Sequence, residues 1–316
     1  MGLFRSFLNL FKRERTVADL AKWLDTLEAE LREWLGSRPM WALGYEYARF
    51  TIPKRRGGER TIEAPNDKLK ALQRRILHRL LNPLPVHEAA TGFVRGRSIV
   101  DNARPHVASG VVINLDLADF FPTITLDRVA ALFRALGWDA DSAAILSRIC
   151  TSDGHLPQGA PTSPALSNLV CRRMDARLAG LAEHYQGSYT RYADDMTISL
   201  PGLGRNKRLR AHRSDKPLRF LKPQRFPSRK LLTLFRQIIE EEGFRIQMKK
   251  KVRIQRPHQR QTATGLIVNQ AVHLPRATRR RIRAMQHRQR LGQLDAAGQK
   301  QLRGYEALSS MIEQQR

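Results

Sequence analysis

The chain has 316 residues, 41 % of them hydrophobic, enough for a real core and for two or three structural lobes. Its net charge of +27 and pI of about 11.2 exceed anything solubility requires, so a polyanion is the expected partner, with nucleic acid the first candidate and an anionic membrane surface the second. No apolar run approaches the roughly 20 residues that span a bilayer, which argues against a membrane-embedded chain.

The opening stretch, "MGLFRSFLNLFKRER", is basic and amphipathic. It matches the loose myristoylation pattern through Gly2 and Ser6, but so short a pattern recurs by chance, and a packed first helix is the preferred reading. It lacks a signal-peptide cleavage pattern, so a cytoplasmic location is expected. Thr16 can cap a helix carrying Leu20, Trp23, Leu24, Leu27, Leu31 and Trp34 at helical spacing, with Gly36 as its stop. Arg49 to Pro65, "RFTIPKRRGGERTIEAP", reads as a β-hairpin with a basic Gly-Gly tip. A helix follows Asn66 with Leu69, Leu72, Ile76 and Leu80 on one face. Next come a Gly/Arg-rich loop with a polar continuation, "ATGFVRGRSIVDNARPHV", and a dense apolar strand, "VVINLDLADFFPTI", interrupted by Asp116 and Asp119. Two helices are expected near 126–136 and 141–150.

"LPQGAPTSPALSNLV" is a Pro/Gly loop running into a helix through about Tyr185, followed by a hairpin with Asp194 and Asp195 at its centre. Residues 203–230, rich in Arg and Lys with several prolines, read as a basic surface insertion. A helix through Glu242 ends at Gly243, "FRIQMKKKVRIQ" reads as a strand, and "TATGLIVN" as another short strand. From Pro275 two helices are expected. In the first, Ile282 and Met285, with Leu274 before and Leu291 after, make a thin stripe against which Leu294, Leu302, Tyr305, Leu308 and Ile312 can pack. Cys150 and Cys171 lack metal spacing and read as buried thiols. No internal repeat is present.

The chemistry starts from "SYTRYADDMTISL". Asp-Asp at a hairpin tip is ordinary turn composition, since Asp tolerates unusual dihedrals and bonds to nearby backbone. The sharper reading is a site for hard divalent cations, which take oxygen ligands. Two carboxylates are few for a paired-metal site, so that reading demands a third acid at the end of another buried strand. Asp116 meets the demand within Val111, Val112, Ile113, Leu115 and Leu117. It could instead pair with a buried arginine or cap a helix, but a carboxylate in so apolar a run is costly unless paired or metal-bound. Two metals ~3.5–4 Å apart would run an in-line phosphoryl displacement. Three acids and a charge of +27 together describe a nucleotidyl transferase.

"YADD", "NLDLADFFPTI" and "LPQGAPTSP", in this order, resemble the palm of reverse transcriptases over roughly residues 50–270. "DNARPH", Asp101 to His106, resembles the Asn-Ala-x-x-His segment of retron reverse transcriptases, and "TATGLIVN" resembles their Val-Thr-Gly segment, with Ala263 in place of Val. The resemblance implies an α+β, right-hand polymerase fold. Its parts would be an N-terminal helical region (1–48), fingers (49–110), a palm of antiparallel sheet and helices with the basic insertion and part of the fingers (111–270), and a helical thumb (271–316). It implies Asp116, Asp194 and Asp195 as catalytic ligands of two Mg²⁺ ions, with Mn²⁺ as a possible substitute. Phe121 falls at the aromatic gate against a ribose 2′-OH, although packing beside Pro122 would also explain it. Gln158 and Gly159 would lie near the incoming nucleotide and Arg60 at its triphosphate, with Arg55 and Arg56 as neighbours. Lys250 is the working choice among Lys249, Lys250 and Lys251. Asn102 and His106, and Arg279, Arg280 and Arg281 in the thumb, are expected to contact RNA.

As a family, retron enzymes use a structured noncoding RNA of the msr-msd type as template and primer. They start from a guanosine 2′-OH, yield branched RNA–DNA, consume deoxynucleoside triphosphates, and act with an effector protein in defence against phage. The alternatives are another bacterial reverse transcriptase, from a group II intron or a different defence system, and a noncatalytic RNA-binding protein on a degenerate palm.

Overall fold

The computed structural model describes residues 14–36, 38–54, 57–202, 228–247 and 252–315. Lys250, its two lysine neighbours and nearly all of the basic insertion 203–230 lie outside them. The fold is α+β, in two compact units that interleave in sequence: Met1–His87 with Asp119–Arg173, and Glu88–Ala118 with Met174–Arg316.

In the first unit, Thr16 starts the helix Val17–Leu24, with Asp19 accepting bonds from its backbone N and hydroxyl. The expected single helix to Gly36 breaks at Asp25, which is left-handed (φ 54°), and resumes as Glu28–Arg32 and a tight turn Glu33–Leu35. The cause is not local. Arg75 Nη1 donates to the carbonyls of Leu24 (2.6 Å) and Asp25 (2.9 Å), and Arg79 Nη1 to that of Trp23 (2.7 Å), so arginines from another helix satisfy the carbonyls the break releases. The break leaves Leu27 74 % exposed while Leu31 and Trp34 are buried.

β1 (Tyr47–Pro53) and β2 (Glu59–Pro65) form the expected antiparallel hairpin, in register from Tyr47↔Pro65 to Pro53↔Glu59. Asn66 Oδ1 accepts from Leu69 N at 3.0 Å and caps the helix Asp67–Ile76, which buries Leu69, Leu72 and Ile76. The helices Leu126–Ala135, Ala140–Cys150 and Ser163–Val170 complete this unit's core. A turn at Cys171 (φ −74°, ψ −6°) ends the last of these, so the single helix expected through Tyr185 is two, and Arg172–His184 follows as a separate segment. Both cysteines are buried thiols, and burial raises that of Cys150 to about 12.

The second unit is organised by a four-stranded antiparallel sheet. β3 (Val111–Asp116) lies between β5 (Asp195–Leu200) and β6 (Arg253–Gln255), and β4 (Ser188–Tyr192) pairs with the far side of β5. A central position explains why Val111, Val112, Ile113 and Leu115 of β3 are apolar. Of the stretch "FRIQMKKKVRIQ", Ile246 bridges Leu117 and residues 253–255 form β6. "TATGLIVN" is not one strand but a hairpin, β7 (Thr262–Ala263) against β8 (Leu266–Ile267). Thr264 (φ 45°) and Gly265 (φ 82°) make its turn, with the two positive φ angles of a type I′ connection.

The C-terminal helices are Arg276–Arg290 and Ala296–Gln314, the second capped by Asp295. Leu274, Ile282, Met285, Leu294, Leu302 and Ile312 share one core, as expected, whereas Leu291 is 55 % exposed because the helix has ended at that residue. No helix among the described residues is long and apolar enough to cross a membrane.

Candidate active site

The sheet delivers the three acids from two strands and one turn. β3 ends on Asp116 and β5 begins on Asp195, and the register makes these two residues direct cross-strand partners. Tyr192 also pairs with Asp195, so Ala193 and Asp194 alone form the turn between β4 and β5. Ala193 has φ 57°, a left-handed value that is unfavourable for a residue with a Cβ. Three contacts hold this turn. Leu117 N donates to the Asp194 carbonyl at 3.0 Å. Arg191 Nη1 donates to the Ala193 carbonyl at 3.1 Å. Gly92 lies so close that a Cβ on it would stand 2.6 Å from Ala193 N. Asp116 and Asp194 are half-buried and Asp195 is exposed. Among the described residues no three acidic, histidine or cysteine side chains are gathered closely enough to hold a metal ion by themselves.

Arg60, Phe121, Gln158 and Gly159 all belong to the first unit. Arg60 is exposed on β2 opposite Ile52. The same strand clasps the loop bearing Gln158 and Gly159: Glu63 N donates to the Gln158 carbonyl at 3.0 Å, and a Cβ on Gly159 would stand 2.6 Å from the Glu63 carbonyl oxygen. Gly159 has φ 146°, so close approach and backbone conformation both require glycine there. The Glu63 carboxylate, buried, accepts from Arg49 (3.1 Å) and Ser152 (3.0 Å), with His155 Nε2 at 3.3 Å, tying the hairpin to the 152–155 turn. Phe121 is half-buried and meets Phe120 edge-on, ring centroids 5.3 Å apart.

A family model described as "Reverse transcriptase (RNA-dependent DNA polymerase)" matches residues 52–268. The Mx65 retron reverse transcriptase of Myxococcus xanthus is 41 % identical over 293 residues, covering 87 % of this chain and 63 % of that protein. The Mx162 retron reverse transcriptase of the same organism is 37 % identical over 320 residues, covering 93 % of this chain and 63 % of that protein. The Ec86 retron reverse transcriptase of Escherichia coli is 36 % identical over 247 residues, covering 77 % of this chain and 70 % of that protein. The chain belongs to the retron-type reverse transcriptases. It spans slightly under two thirds of the length of the two Myxococcus relatives.

Within this retron-type chain, "DNARPH" is part exposed and part buried, with Arg104 and Pro105 on the surface. Ser98 caps the short helix Ile99–Ala103, and Asn102 and His106 are fully buried. His106 Nδ1 lies 2.8 Å from Ser199 Oγ on β5 and Nε2 lies 2.8 Å from Thr190 Oγ1 on β4, while Asn102 Oδ1 accepts from Thr91 Oγ1 at 2.8 Å. Asn102 and His106, expected to contact RNA, are thus buried, and it is the His106 ring that bonds to the two strands flanking the Asp194–Asp195 turn. Arg279, Arg280 and Arg281, by contrast, are exposed.

Burial lowers the His106 pKa to about 3, from an ordinary 6.5. The unfolded chain then binds a proton that the folded chain refuses, so this residue's contribution is complete above pH 6.5 and is lost as pH falls towards 3. At pH 5 the loss is about 2 kcal/mol, or 1.5 pH steps at ~1.4 kcal/mol each. The melting temperature of wild type should fall more steeply between pH 7 and 5 than that of His106→Gln; equal slopes would refute the assignment.

Sequence reading missed Gly92, Glu63, and the pair formed by Arg191 and Asp175. A signal existed for one: Arg191 is a charge inside an otherwise uncharged strand, "SYTRY", and a charge there needs a buried partner.

Proposed function

We propose that this chain is the RNA-directed DNA polymerase of a retron. It copies a cognate noncoding RNA of the msr-msd type into DNA from an internal guanosine 2′-OH, giving branched RNA–DNA. It works in the cytoplasm, with an effector protein, in antiphage defence. The observation that carries the polymerase reading is Asp116 directly opposite Asp195, with Asp194 in the adjoining turn. Facing like charges cost roughly 0.2–1 kcal/mol in a sheet. A site that keeps such a pair on a strongly basic chain is suited to a cation. The donors are all carboxylate oxygens, which fit Mg²⁺ and accept Mn²⁺. Asp116, Asp194 and Asp195 would hold the two ions, which supply Lewis acidity at the attacking hydroxyl and the departing pyrophosphate.

The chain's own residues bind and orient. Residues 49–110 serve as fingers, 111–270 as palm and 271–316 as thumb, after an N-terminal helical region. Arg60 and Lys250 contact the triphosphate, and the Gln158–Gly159 backbone supports the incoming nucleotide. Phe121 excludes the ribose 2′-OH. The arginine-rich helix Arg276–Arg290 grips the nucleic-acid backbone. Expression of the gene with its upstream region should yield a small DNA that stays joined to RNA until debranched; folded protein with no such product would overturn the retron reading.

Two further results are expected. Phe121→Ala should raise incorporation of ribonucleotides relative to deoxynucleotides by about tenfold, since a steric gate discriminates by roughly 1–3 kcal/mol; unchanged sugar selectivity in a destabilised variant would assign Phe121 to packing. Replacing Arg279, Arg280 and Arg281 with Ala should weaken RNA binding across sequences and flatten its salt dependence by about one unit of slope per lost phosphate contact, as read from titrations at several salt concentrations.

A further inference from the structure

Arg191 and Asp175 are both completely buried and form an ion pair. Arg191 Nε donates to Asp175 Oδ1 at 2.8 Å and Nη2 donates to Oδ2 at 2.6 Å, the two-pronged geometry in which guanidinium and carboxylate match. Tyr189, two residues earlier on the same face of β4, donates its hydroxyl to Asp175 Oδ1 at 2.9 Å. Asp175 sits on the helix Arg172–His184, so the pair is fixed from outside the hairpin it serves. That leaves Arg191 Nη1, which donates to the Ala193 carbonyl at 3.1 Å.

The Ala193 carbonyl belongs to the peptide that leads into Asp194, and Ala193 holds a positive φ that the surroundings must enforce. We propose that Arg191 is a positioning residue: locked by Asp175 and Tyr189, it holds the Ala193 peptide and so sets the direction in which Asp194 and Asp195 present their carboxylates to metal. This rests on the metal-site reading above. Arginine is needed because one planar group must satisfy a carboxylate with two prongs and a carbonyl with a third. A lysine keeps the charge but is a single point that cannot do both.

The test is Mn²⁺ binding, followed by electron paramagnetic resonance of the free ion, together with single-turnover primer extension. Arg191→Lys preserves the charge. The double substitution Asp175→Leu with Arg191→Met removes both charges at once, which avoids leaving one buried and unpaired. Both should fold and bind RNA like wild type, yet bind Mn²⁺ about tenfold more weakly and extend about tenfold more slowly, the lower end of what loss of a supporting group around metal ligands produces. Tyr189→Phe, which deletes one hydroxyl and leaves the ion pair, should shift Mn²⁺ affinity about twofold in the same direction. Wild-type Mn²⁺ affinity in the folded brace variants would overturn the proposal. So would failure of the first two to fold together with wild-type affinity in Tyr189→Phe, which would assign the pair to fold stability alone. Asp195→Asn separates the two readings. If it binds Mn²⁺ normally, the metal site itself is wrong; if it loses Mn²⁺ while Arg191→Lys does not, only the brace is.

Discussion

Replacing Asp116, Asp194 or Asp195 with Asn should lower primer extension by at least about a thousandfold, because several kcal/mol of Lewis-acid stabilisation leave with one ligand charge. The fold should survive. Asp195 is exposed and Asp116 and Asp194 are half-buried, so an isosteric amide at any of the three opens no cavity. Removing one of the charges that face each other across β3 and β5 also relieves repulsion of roughly 0.2–1 kcal/mol. The measurement is extension of an annealed primer in Mg²⁺, beside a melting curve and an RNA-binding titration. Near-normal extension by either Asp194→Asn or Asp195→Asn would return these residues to ordinary turn duty.

Gly92→Ala should lower extension by about a hundredfold, the penalty expected when reacting groups are displaced by about 1 Å. The added methyl would meet Ala193 N at 2.6 Å and both Tyr192 C and Cα at 3.0 Å. These are backbone atoms, which cannot swing aside as a flexible side chain does, so the aspartate turn or the Gly92 backbone that braces it must move. Gly180, on the helix Arg172–His184, is the control, because a Cβ there meets nothing within 4 Å. Gly180→Ala should leave extension unchanged and stabilise the helix by up to about 1 kcal/mol. Equal activity in the two variants would show that the turn tolerates displacement.

The sequence reveals the skeleton of this site well because its signals are local. The apolar run through Leu115 marks a central strand, and the acids stand out against it. The hairpin partner is marked by β-branched residues around Asp194 and Asp195. What sequence reading misses depends on distant partners. Nothing near Asp25 announces that Arg75 and Arg79 will take the carbonyls of a broken helix. Asn102 and His106 look like surface polar residues because the hydroxyls that bond to them, on Thr91, Thr190 and Ser199, come from three other segments. Thr264 and Gly265 are the composition of a turn, but the apolar residues on either side hide it within a strand-like run. The Ala193 turn is legible as a turn and illegible as a strained one, since no rule of composition places an alanine at positive φ.

The two short segments that resemble retron motifs are physically one piece. Thr264 Oγ1 donates to the Ile99 carbonyl at 3.1 Å. Val100 and Ala103 on one side, and Ala263, Leu266 and Val268 on the other, lie in the same hydrophobic cluster as Ile282, Met285, Leu302 and Ile312 of the C-terminal helices. A cut at residue 275 would therefore pass through a packed interior, not along a seam. Recombination that exchanges the terminal helices between relatives has to carry residues 99–107 and 262–274 with them, or accept a mismatched core. The natural module of inheritance here is a set of three sequence-distant stretches. Their substitutions should track one another from relative to relative, even though no gene boundary joins them.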